Sequence, residues 1–127
     1  MKKMLPFLLS LLALTGCGAT AQESSYQQIS MDEALSKMSE EENYILLDVR
    51  TIEEYSNGHI PGAVNLPNES IGENEISELP DKEQLIYVYC RSGNRSRQAS
   101  AKLAALGYTR VTEFGGISAW PGDIVTN

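Results

Sequence analysis

Histidine, cysteine and basic residues are all scarce in this chain, and each shortage closes off a class of function. The 127 residues include one histidine, His59, and two cysteines, Cys17 and Cys90. A lone imidazole and one free thiol make no convincing zinc set, which takes three or four nitrogen or sulfur ligands. No metal site and no cofactor are therefore expected. Lysine and arginine number 10 against 17 aspartates and glutamates, for a net charge of -7. Such a chain repels nucleic-acid backbones, and no basic stripe offsets the repulsion. No apolar run approaches the roughly 20 residues of a membrane-spanning helix. The longest, Leu5 to Leu14, is interrupted by Pro6 and Ser10.

That run has a different meaning. Lys2 and Lys3 precede it and Thr15-Gly16-Cys17 closes it, which is the layout of a signal peptide. Leu14-Thr15-Gly16-Cys17 resembles a bacterial lipoprotein box. The resemblance implies cleavage before Cys17, a lipid on that cysteine and export. The alternative is an ordinary signal peptide cut near Ala21. Gly18 lacks the acidic character that resembles an inner-membrane retention signal, so an organism with two membranes would hold the protein at its outer membrane, facing the periplasm. The expected organisation is a leader over 1–16, a lipidated cysteine and flexible tether over 17–25, and one domain over 26–127. Loss of Lys2 and Lys3 makes the mature chain still more acidic.

In the domain, strands and helices alternate with short connections. Tyr26 to Ile29 predicts a first strand. Ser30 with Glu33 forms a capping box for a helix striped by Ala34, Leu35 and Met38. Tyr44 to Val49 is nearly all apolar, as a parallel strand covered on both faces would be. Thr51 with Glu54 opens a short helix that Gly58 ends, and Ala63 to Leu66 is a strand stopped by Pro67. A short helix is expected over Glu73 to Leu79. Leu85 to Tyr89 is a buried strand, Ser96 opens a helix running from Arg97 to Leu106, and Val111 to Glu113 is the last strand. Ile117 to Trp120 is a helical turn, with Trp120 packing in the core or at its rim. The pattern predicts a small α/β domain with a mainly parallel central sheet flanked by helices. Ligands of such sheets bind beyond the carboxyl ends of the strands.

Cys90 falls at such an end. With Cys17 lipidated it is the only free thiol of an exported chain, which asks for a chemical explanation. The stretch Arg91-Ser92-Gly93-Asn94-Arg95-Ser96 is short, polar and basic, and its polarity argues against burial of the thiol. A loop able to curl at Gly93 can aim successive N–H groups at one centre. With Arg91 and Arg95 beside it and a helix N-terminus behind, the thiol would ionise readily and act as a nucleophile without a histidine. Phosphate-ester hydrolysis and sulfur transfer both suit such a cradle. The cysteine phosphatase spacing of five residues between cysteine and arginine is absent, because position 96 is serine. The shorter loop leaves less room for a phosphate group, and no general acid for a leaving alcohol is evident.

Cys90-Arg91-Ser92-Gly93-Asn94-Arg95-Ser96 resembles the active-site loop of the single-domain rhodanese family. Leu47-Asp48-Val49-Arg50, Glu53 and Gly58 to Pro67 are similar to the family's front motif. Gly107-Tyr108, Val111 and Gly115 to Trp120 resemble its closing motif. The resemblance covers residues 28–124 and implies a rhodanese-like fold and a sulfurtransferase. Cys90 would attack the outer sulfur of thiosulfate or a related small anionic donor, carry a persulfide, and pass the sulfur to a thiol or cyanide. Arg91 and Arg95 would bind the sulfonate, unless Arg95 pairs inward with an acid and only shapes the loop. Ser92, Gly93, Asn94 and Ser96 complete the cradle. Asp48 and Arg50 would support the site, and His59 would satisfy backbone groups in its turn. The alternative function is a persulfide carrier or redox module that exchanges sulfur with other proteins, such as a periplasmic thiol protein.

Overall fold

A computed structural model describes residues 25–126. The leader, Cys17 and all of the tether but Ser25 lie outside the described residues. Five parallel strands form one sheet in the order β1-β5-β4-β2-β3. They are β1 (Gln27–Gln28), β2 (Tyr44–Asp48), β3 (Val64–Asn65), β4 (Leu85–Cys90) and β5 (Val111–Gly116). Three helices connect them: α1 (Met31–Glu40), α2 (Ile52–Asn57) and α3 (Asn94–Ala105).

The central strand β4 is buried at all six positions, and its side chains alternate between two cores. Ile86, Val88 and Cys90 join Leu47, Val49, Val111 and the α3 residues Ala99 and Leu103 on one face. Leu85, Tyr87 and Tyr89 join Phe114 and the α1 residues Ala34 and Met38 on the other. This two-sided burial accounts for the near-continuous apolar runs in β2 and β4. It also places Cys90 on the α3 face, one residue before the chain leaves the sheet.

Several elements differ from expectation. β1 and β3 are two residues long, because at the sheet edges only the central pairs of each run find a neighbour. β5 continues through Gly116, since Gly116 pairs with Cys90 after a register irregularity that gives β5 one residue more than β4. No helix forms over 73–79. Its apolar residues, Ile76 and Leu79, are both buried and are joined across a single turn, the Leu79 amide donating to the Ile76 carbonyl. A 3-10 turn at Asn68–Ser70 precedes them instead. Of the two expected capping boxes, the one at Thr51 and Glu54 closes in both directions. At α1 only the bond from the Glu33 amide to Ser30 Oγ forms.

Candidate active site

α3 begins at Asn94, ahead of the expected Ser96. The reason lies in the cysteine. Gly93 occupies the cap position at φ 122, and no side-chain oxygen caps the helix. The Gly93 N–H instead donates to Cys90 Sγ at 3.0 Å. The sulfur takes the place of a capping oxygen, and only glycine reaches this backbone conformation without strain. The free loop thus shrinks to Arg91, Ser92 and Gly93, and Ser96 becomes a first-turn residue of α3.

Cys90 is 1 % exposed, so the expectation of an unburied thiol is corrected. The loop folds over the sulfur, turning its amides inward and its polar side chains out. Arg91, Ser92 and Asn94 are exposed, whereas Gly93 and Ser96 are buried. Burial pushes the thiol up, but the Ser96 hydroxyl and the amides of Ser96, Gly93 and Ser92 outweigh it and hold Cys90 below its ordinary value. This is the electrostatics of an anion nest at a helix N-terminus.

The close approach of β5 sets the shape of the nest. A Cβ on Gly116 would stand 1.9 Å from the Arg91 carbonyl oxygen and 2.6 Å from the Ser92 nitrogen. The Ser118 amide donates to that same Arg91 carbonyl. Gly116 is therefore a packing requirement of the cysteine loop, whereas Gly115 meets a conformational one, its φ of 99.

The two loop arginines part company. Arg95 is joined to Glu54 of α2 by two bonds, Nη1–Oε1 at 2.7 Å and Nη2–Oε2 at 3.1 Å. Its guanidinium, together with the capping bonds at Thr51, holds the Glu54 carboxyl down to about 2. Arg95 thus takes the inward-pairing alternative and ties α2 to the start of α3. Arg91 is exposed, and among the described residues its side chain has no ion pair.

Asp48, Arg50 and His59 sit on the Tyr89 face of the sheet, opposite the face that carries Cys90, and bond among their own neighbours. Asp48, fully buried at the end of β2, accepts from the Arg50 amide and guanidinium and from Tyr89 Oη at 2.6 Å. Arg50 also donates to the Gly58 carbonyl. His59 stacks on Tyr55 with ring centroids 3.7 Å apart, and its Nδ1 lies 2.8 Å from the Tyr55 carbonyl oxygen. The imidazole is thus tied into its own turn. Trp120 is half-buried and packs against the α1-side core, with Nε1 donating to the Asp123 carbonyl.

Sequence reasoning missed three residues. In the sequence Glu54 is legible only as a helix cap. Tyr89 has the sequence context of a core residue, yet its hydroxyl joins Asp48 to the Ile60 amide. Glu113 is 2 % exposed and accepts from Ser96 Oγ and the Gly115 amide. A signal for Glu113 was present: it shares the inward phase of Val111 in a buried strand, where a carboxylate is out of place unless paired.

A family profile described as the rhodanese-like domain matches residues 31–123. A prokaryotic membrane lipoprotein lipid attachment site matches residues 1–17. The chain is 39 % identical over 71 residues to the thiosulfate sulfurtransferase PspE of Escherichia coli, spanning 56 % of this chain and 68 % of that one. It is 40 % identical over 94 residues to a sulfurtransferase of Allochromatium vinosum, spanning 73 % and 86 % respectively. The solution structure of a rhodanese-like domain from Anabaena superposes with a TM-score of 0.71 at 30 % identity, covering 81 % of each chain.

Proposed function

Because the chain belongs to the rhodanese-like family and carries a lipoprotein attachment motif, we infer that it is an exported, lipid-anchored sulfurtransferase with Cys90 as nucleophile. The observation that carries this reading is the Cys90 sulfur itself: a thiol at the end of β4, held below its ordinary value by inward-turned amides and a hydroxyl. In the first step the thiolate attacks the outer sulfur of thiosulfate. The sulfur–sulfur bond of the donor breaks, its electron pair leaves with sulfite, and Cys90 becomes a persulfide. In the second step a thiol or cyanide attacks the terminal sulfur and Cys90 departs as thiolate. The nest amides favour the anion in both steps. Arg91, exposed at the rim, receives the sulfonate end. Arg95 holds the loop in shape through Glu54.

The same reading assigns 1–16 to a cleaved leader, 17–25 to the lipidated cysteine and tether, and 26–127 to the domain. In an organism with two membranes, Gly18 favours the outer membrane and a site facing the periplasm. A cleft of about 410 Å³, lined by Tyr26, Lys37, Leu85 and Arg110, belongs to the opposite ends of the strands and does not include Cys90.

The test is turnover of the detergent-purified protein with thiosulfate against cyanide and a panel of thiols, with mass spectrometry of the desalted protein after donor alone. One added sulfur on Cys90, removed by a small thiol, is expected. A Cys90 that no sulfane donor modifies, while it still alkylates at neutral pH, would overturn the persulfide mechanism. Loading without turnover on small acceptors would favour the carrier alternative.

A further inference from the structure

Ser96 has more neighbours than its one proton can serve. Its Oγ lies 2.6 Å from Glu113 Oε2, 2.9 Å from the Gly93 carbonyl oxygen, 3.3 Å from the Gly115 carbonyl oxygen and 3.6 Å from Cys90 Sγ. A hydroxyl donates once and accepts twice. The 2.6 Å separation is that of a hydroxyl donating to a carboxylate. At rest, then, the Ser96 proton points at Glu113, the oxygen lone pairs face the sulfur, and the Cys90 thiol donates to them. A thiolate needs the reverse. For the Ser96 hydroxyl to stabilise anionic sulfur its proton must turn to Sγ, and Glu113 must then supply the proton between itself and Ser96.

We propose that Glu113 is a positioning residue that takes up the Cys90 proton, through the Ser96 hydroxyl, when the sulfur becomes anionic. The S–H bond breaks and its electron pair stays on sulfur, while its proton bonds to Ser96 Oγ. The original Ser96 O–H bond breaks and that proton bonds to Glu113 Oε2. The net charge of the three side chains does not change, so the sulfur becomes anionic without adding a second negative charge to the interior.

The surroundings leave few other ways to balance the charge. On α3 the nearby cations are Arg95, whose charge reaches Cys90 but which is paired with Glu54, and Arg97, an exposed residue. Its Nη1 stands 3.0 Å from where a Gly93 Cβ would lie, Glu113 Oε2 stands 3.7 Å from the same point, and the two form no ion pair. β1 offers the neutral amide of Gln28, at 3.3 Å from Oε1, and β5 itself offers the Gly115 N–H. On β4 the residue paired with Glu113 is Val88. α1 and its charges pack on the other face of the sheet, and His59 is held by Tyr55. Resting on the reading of Cys90 as nucleophile, the proton leaves as the sulfur attacks the donor and returns when Cys90 departs from the persulfide.

Two measurements on the full chain test this. The first needs no sulfur donor: the pH profile of Cys90 alkylation by iodoacetamide, each rate divided by its own high-pH plateau to remove differences in access. In Glu113→Gln the neutral side chain no longer competes for the negative charge. The normalised rate at pH 6 should rise about tenfold, the equivalent of one pKa unit. A Glu113 that only braces the loop would give a fall, because a loosened nest holds the thiolate less well. An unchanged or fallen rate overturns the proposal. The second uses wild type and decides the matter should the variant not fold. Infrared difference spectra before and after thiosulfate loading, with loading verified by mass, should gain a protonated-carboxyl C=O band. Complete loading without that band overturns the proposal. Failure to load counts against sulfur transfer and leaves the alkylation result to judge the proton path.

Discussion

At the scale of the residue, the thiol is governed by two opposed effects of similar origin. Burial of Cys90 disfavours the thiolate, and the donors gathered by that burial favour it more. The sign of the resulting pH dependence follows. A folded-state value below the unfolded one means that the unfolded chain holds more protons between the two, so stability rises with pH in that window. The contribution is fully present above the unfolded thiol value of about 8.5 and is lost as pH falls through the depressed folded value. Denaturant titrations of wild type and Cys90→Ser between pH 6 and 9 should therefore diverge as pH rises, with turnover absent in the serine variant throughout. Parallel curves would mean that the nest does not favour the thiolate. The arginines differ as their geometry does. Arg91→Ala should raise the KM for thiosulfate several-fold with little change in kcat, because an exposed cation without an ion pair binds ground state and transition state alike. Arg95→Ala should lower kcat as well, because it releases the first turn of α3 from Glu54. Steady-state kinetics of the two variants side by side would check both expectations, and matching effects in them would contradict the division of labour.

At the scale of the element, the site is a junction of two strand ends and one helix start. β4 delivers the sulfur, α3 delivers the Gly93 amide and Ser96, and β5 supplies a backbone close enough to shape the loop. Gly116 is the point of closest approach, with extended φ of -157. Strain there comes from contact and not from conformation. Gly116→Ala should cost about 1–3 kcal/mol, the usual range for overpacking a tight interior. It should also slow Cys90 alkylation at pH 6, because the displaced Arg91 and Ser92 backbone would re-aim the nest amides. Thermal unfolding read together with alkylation checks this, and an alanine variant with wild-type Tm and reactivity would show that the loop yields without cost.

At the scale of the whole molecule, the parallel sheet places every strand's carboxyl end on one side. The described chain enters at residue 25, just before β1, at the opposite side from the cysteine loop. A lipid on Cys17 would therefore join the domain at the pole away from Cys90. Intact-mass measurement of membrane-extracted protein should show a diacylglyceryl group on Cys17, and Cys17→Ser should release the protein from the membrane fraction with its turnover unchanged. A soluble wild-type product beginning at Ala21 or later would remove the anchor.

The sequence by itself determined what depends on local order. The alternation of apolar runs with capped helices specified a parallel α/β sheet, because two-sided burial and short crossovers leave few other arrangements. It also put Cys90 at a strand end before a glycine, and Thr51 with Glu54 at a helix start. Tertiary structure decided what depends on register between strands and on the depth of a loop. The burial of Cys90, the capture of Arg95 by Glu54, and the meeting of Ser96 with Glu113 each join residues 6 to 41 positions apart. No periodicity reports such pairings. The helix expected over 73–79 is absent for the converse reason: Ile76 and Leu79 anchor the segment into a core that only the folded sheet provides.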